Sequence, residues 1–120
     1  MRKYRGKALD NLAGIKAGEW VYGWYIEDKD GGKAWMYILR ATFDTSYINS
    51  FVPVNPSTVG QSIGLKDKNG VEIYEGDILR RYGGAIIVVK WSDAEFNISD
   101  GSLYEVIGNI HSNPELLEKR

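Results

Sequence analysis

A chain of 120 residues with no cysteine and a net charge of −1 is one domain's worth of protein, or two small lobes sharing a core. That composition excludes disulfides, thiolate metal sites and a cysteine nucleophile. It also lacks an apolar run near membrane-span length, and its basic, polar start, MRKYRGKALDNLAG, points to a cytoplasmic protein without membrane contact.

The charge is unevenly spread. Residues 1–20 carry five Lys or Arg against two acids, and residues 61–120 carry seven against ten. This argues against a broad polyanion-binding surface and leaves a small basic arm at Arg2, Lys3, Arg5 and Lys7. Four Trp and eight Tyr favour pleated, half-buried surfaces and hence β-sheet.

In chain order, GEWVYGWYIED (residues 18–28) alternates, with Trp20, Tyr22, Trp24 and Ile26 on one face and Val21, Gly23 and Tyr25 on the other. DKDGGK is a turn cluster, and AWMYILRATF (34–43) resumes the strand pattern, so the two runs predict a hairpin. DTSYINS is polar, FVPV is extended, and NPSTVGQS predicts one helical turn with Asn55 as cap and Pro56 first. In DKNG, Asp67 accepts from a backbone N–H two residues on, and Asn69-Gly70 supplies the positive φ of a tight turn.

VEIY is then a short strand, broken by Glu75-Gly76-Asp77 and restarted by DILRRY. Tyr82-Gly83-Gly84 turns the chain. AIIVVKW (85–91) is apolar on both faces and predicts a central, covered strand. LYEVIGNI (103–110) closes the sheet, and SNPELL carries the cap, proline and acid of a short terminal helix. The predicted fold is mainly β: short antiparallel strands forming a small barrel or curled sheet, SH3-like by analogy in the second half, with a short C-terminal helix. One domain, 1–120, is expected, with a hairpin lobe over about 1–60 and a barrel-like lobe over about 61–120.

Chemistry is harder to find. Asp28-x-Asp30-Gly31 and Asp67-x-Asn69-Gly70 look like calcium-loop fragments, but the loop's first-ligand position falls on Ile26 and Leu65, which cannot coordinate. One histidine and no cysteine make zinc implausible. Tyr82-Gly83-Gly84-Ala85 lacks the Gly-Lys-Ser/Thr of a phosphate loop and leads into a strand rather than a helix. His111 has no nucleophile motif beside it, and Glu75, Asp77, Asp93 and Glu95 are acids flanking turns. No catalytic residue, metal or cofactor is expected. Arg80, Arg81 and Lys90 lie next to aromatics and could track a nucleic-acid backbone, although alternation places the two arginines on opposite faces.

GLKDKNGVEIYEGDIL (64–79), preceded by PSTVGQSI and followed by VVKW and EVIGNIHSNPELL, resembles the YopX family of phage and prophage proteins. YRGK and GEWVYGWYI are similar to that family's opening strand. The chain departs from many relatives in a shorter loop at Arg81-Tyr82-Gly83-Gly84. The resemblance implies a β-rich phage-associated protein without an assigned activity, and it supplies no catalytic residue.

The expectation is a non-enzymatic accessory protein of a bacterial cytoplasm that binds protein, including itself, through Trp20, Trp24, Trp35 and Tyr37. The alternative is a nucleic-acid-binding small β-barrel using Arg80, Arg81 and Lys90. Asp67, Asn69, Gly70, Gly76, Asp77, Gly83 and Gly84 are expected to build turns rather than a reaction centre.

Overall fold

The computed structural model describes residues 3–12, 14–28, 32–41, 47–92 and 95–118. The chain divides into two compact units, Met1–Gln61 and Ser62–Arg120.

The first unit is an antiparallel sheet of β1 (Tyr4–Lys7), β2 (Trp20–Asp28), β3 (Lys33–Ala41) and β4 (Tyr47–Val54), with the first residues of β5 (Gly60–Lys66) beside β1. The period of two decides what is buried. Met36 faces Val52 and Ala34 faces Val54 across β3 and β4, and all four are buried with Val21, Ile38, Ala8 and Ile15. Gly23 is required where β2 crosses β3, because a β-carbon there would run into the Tyr37 carbonyl.

This sheet curls. Past β1, Ala8 bridges Val54, the Leu9 N–H donates to Pro53 O (2.9 Å) and the Asn55 N–H donates to Lys7 O (2.9 Å). The first strand's continuation is thereby tied to the last strand's end. Asn55 then caps a 3₁₀ turn, Pro56–Thr58, its Oδ1 accepting from the Ser57 N–H (3.1 Å), as its sequence predicts. β4 is longer than the predicted FVPV piece. Its polar first half still pairs with β3, Tyr47 opposite Ala41 and Asn49 opposite Leu39, since backbone bonding does not require apolar side chains.

In the second unit, the remainder of β5 pairs with β6 (Glu72–Tyr74), with a register shift between Ser62 and Lys66. Gly64, at φ +80°, lies in that shift, which suits a β-bulge. The sequence pattern does not mark β5, because its glycines hide its period. β7 (Asp77–Arg81) is flanked by β8 (Ile86–Val88) on one side and β11 (Tyr104–Asn109) on the other. β9 (Trp91–Ser92) and β10 (Glu95–Phe96) form a two-stranded pair. The core gathers Ile63, Ile73, Leu79, Val89 and Ile98.

Three expectations for this half are corrected. AIIVVKW is not the central strand. Its Ile86–Val88 stretch is a half-buried strand at the edge of its sheet and its Trp91 begins β9, while the centre is β7, whose Asp77, Ile78 and Leu79 are buried. No closed barrel forms among the described residues, where the strands fall into separate open pairings. The terminal helix is only a 3₁₀ turn, Pro114–Leu117. Asn113 does not cap it, because its Oδ1 is turned back to accept from the Asn109 N–H (3.2 Å) at the end of β11.

Candidate functional site

Of the two faces that alternation gives β2, the one carrying Tyr22, Trp24 and Ile26 is outward. Tyr22, Trp24 and Ile26 are exposed, while Val21 and Gly23 are buried. Pairing register carries the same face across three strands, with Trp24 opposite Tyr37 and Tyr37 opposite Phe51. The rings follow that register: Trp24 and Tyr37 have centroids 6.1 Å apart, and Tyr37 and Phe51 5.1 Å, both tilted. Phe51 remains 56% exposed and Trp24 42%, so water covers much of an aromatic ladder. Trp24, Tyr25, Ile26, Tyr37 and Phe51 line one shallow apolar depression. A contiguous apolar surface of this kind is a recognised mark of an interaction site.

Of the four predicted contact residues, Trp24 and Tyr37 form the ladder. Trp35 lies one row along, paired with Ile26 on one side and Pro53 on the other. Trp20 stands apart at the start of β2, where the Arg5 guanidinium carbon is 4.7 Å and the Lys7 ammonium 5.4 Å from its ring centroid. Sequence reasoning misses Phe51. The signal is present, because FVPV alternates Phe51 and Pro53 against the buried Val52 and Val54.

The glycine- and acid-rich block builds turns. Asp67 is 5% exposed. Its Oδ1 accepts from the N–H groups of Asn69 (2.8 Å) and Val71 (2.9 Å), and its Oδ2 from that of Val106 (2.9 Å). Burial pushes this carboxyl upward, but the three N–H donors outweigh it and hold it below the ordinary aspartate value. Asp77, 1% exposed, accepts from the Tyr74 N–H at 2.8 Å. Gly70, Gly76, Gly83 and Gly84 all have positive φ, and Asn69 sits between Asp67 and Gly70 in the first of these turns. Asp93, the side chain of Glu95 and the Arg2 end of the basic arm lie outside the described residues, as do Asp30, Gly31 and Phe43. Among the described residues no group of three His, Asp or Glu is placed to hold a metal ion.

A second surface feature is a cleft of about 500 Å³ at the β7–β8 hairpin, lined among others by Lys68, Arg80, Arg81, Tyr82, Leu103 and Glu105. Arg80 and Arg81 both line it, as successive residues of β7 paired with Glu105 and Tyr104 of β11. Arg80 Nη2 donates to Glu105 Oε1 at 3.0 Å, and this bond holds the Glu105 carboxyl below its ordinary range. Lys90 does not line the cleft. Its backbone N–H donates to Asn97 Oδ1 (3.1 Å) in a loop elsewhere.

The family model described as YopX protein matches residues 18–118. This chain belongs to the YopX family. No curated protein matches it. Among solved structures, protein EF1440 from Enterococcus faecalis is similar over 97% of this chain and 96% of its own, at 26% identity and a TM-score of 0.54. The YopX match includes β2, β3 and β4, and so the aromatic ladder, and it includes the hairpin cleft.

Proposed function

We propose that this YopX chain is a non-enzymatic binding module, an accessory protein of phage or prophage origin that works in a bacterial cytoplasm. Its working surface is the outward face of β2, β3 and β4, and its partner is protein, with a second copy of the chain as the occupant. One observation carries this reading: Trp24, Tyr37 and Phe51 stack across three strands yet leave Trp24 and Phe51 about half exposed. Aromatics supply large contact area at little entropic cost and are enriched at interface centres. The face is uncharged at the ladder, so two copies can meet without opposing like charges. The non-enzymatic part draws support from Asp67 and Asp77, whose carboxylates are engaged by backbone N–H groups instead of converging on a cleft.

Light scattering over a concentration series tests the reading. The expected result is a mass that rises towards a dimer and returns to the monomer in Phe51→Ser and Trp24→Ser. A monomer mass at every concentration removes self-association, and the proposed face then needs a different protein.

A further inference from the structure

The hairpin cleft is lined by none of the aromatic-ladder residues. We propose that this cleft binds single-stranded nucleic acid, with a base laid on the Tyr82 ring and the backbone phosphates met by Arg81, Lys68 and Arg80.

Three observations converge on that ligand. Tyr82 is 96% exposed at the tip of the hairpin. A phenol ring so far from any neighbour contributes nothing to a core, and its face is open to a flat partner. Around it the cleft presents three cations against one carboxylate, Glu105. That carboxylate is already engaged by Arg80 at 3.0 Å and feels the charge of Lys68, so it opposes an incoming phosphate weakly. Finally, Gly83 and Gly84 (φ +101° and +99°) have open space where side chains would be, so a strand can approach the hairpin backbone beside the ring.

The combination of a π-face and flanking cations suits a nucleotide unit. An inorganic anion would leave the ring unused, and an apolar peptide would leave the cations unused. The base must be free to leave its stack, which selects single strands over duplex. The cleft's size lies within the range of small-ligand sites, so it holds one or two nucleotides and the rest of a strand runs past it.

Fluorescence anisotropy with a short labelled oligothymidylate at low salt tests this, alongside a duplex of equal length and unlabelled thymidine monophosphate as competitor. Binding of the single strand is expected, with a salt dependence of slope near −2 for three phosphate contacts, at about 0.7 per contact. Tyr82→Ala should weaken it roughly tenfold or more, as loss of a stacking ring does, while Tyr82→Phe keeps it. Arg81→Ala and Lys68→Ala should each flatten the salt slope by about 0.7. Lys90→Ala and Phe51→Ser should leave affinity unchanged. The Tyr82 variants are expected to melt like the parent, since the ring packs on nothing. Absence of binding at low salt, equal binding of duplex, competition by the monophosphate as strong as by the oligomer, or an unaltered affinity in Tyr82→Ala would each overturn the proposal.

Discussion

The Asp67 carboxylate accepts a hydrogen bond from the Val106 N–H at 2.9 Å, joining residues 39 apart in sequence. The same side chain closes its own turn through Asn69 and Val71, so one buried group fixes a local bend and a distant strand together. Replacing it with alanine leaves three backbone donors without their acceptor. Asp67→Ala should therefore lose about 3 kcal/mol or more of stability, measured by denaturant unfolding against the parent.

The same geometry sets a pH dependence. The native Asp67 pKa lies below its unfolded value of about 3.9. Between the two values the unfolded chain binds a proton that the native chain does not, so stability rises with pH there. The contribution is complete above about pH 3.9 and is lost as pH falls through the native pKa. Thermal melts from pH 7 downward should show this acid limb, and it should be shallower in Asp67→Asn. Glu105 and Asp100 shift in the same direction, through bonds from Arg80 and Ser102 respectively, but both are more exposed than Asp67 and contribute less.

Two glycines should prove intolerant for different reasons. Gly70 adopts φ +83° with open space around it, so Gly70→Val is strained by its backbone alone, at about 1–2 kcal/mol. Gly23 has no such dihedral. There the β-carbon of Gly23→Ala would strike the Tyr37 carbonyl, forcing β2 and β3 apart at about 1–3 kcal/mol. Melting temperatures of the two variants should both fall, whereas Gly14→Ala, at φ +79° but in an irregular segment, should fall less than Gly23→Ala.

Substitutions on the two faces of the curled sheet should separate stability from association. Met36 is fully buried, and Met36→Ala should cost about 2–5 kcal/mol. Phe51 sits on the other face with more than half its surface in water, and Phe51→Ser should change stability by under about 1 kcal/mol, since a tilted ring pair contributes roughly that much. A loss in Phe51→Ser as large as that in Met36→Ala would mean the ladder is core rather than surface.

Alternation in GEWVYGWYIED makes the two faces of β2 readable from sequence, though not which of them is outward, and the Asp67-to-Gly70 turn is readable from side-chain chemistry. Register is not. That Phe51 stacks on Tyr37 depends on how β4 pairs with β3, which single-strand periodicity does not encode. The centrality of β7 is obscured for a related reason. Its buried Asp77 looks like a turn residue, whereas the more apolar Ile86–Val88 looks like a centre and is an edge. The cleft draws Lys68, Arg81 and Leu103 from three separate segments, a gathering that single-strand periodicity does not encode.

The position of β1 between β2 and β5 has a consequence for synthesis. Tyr4 and Arg5 are made before β2, but the partners on their second edge, Gln61 and Gly60, leave the ribosome only after the whole β2–β4 meander. At about 5–20 residues per second, a nascent chain carries that bare edge for seconds. The closing of the first unit therefore waits for the arrival of β5.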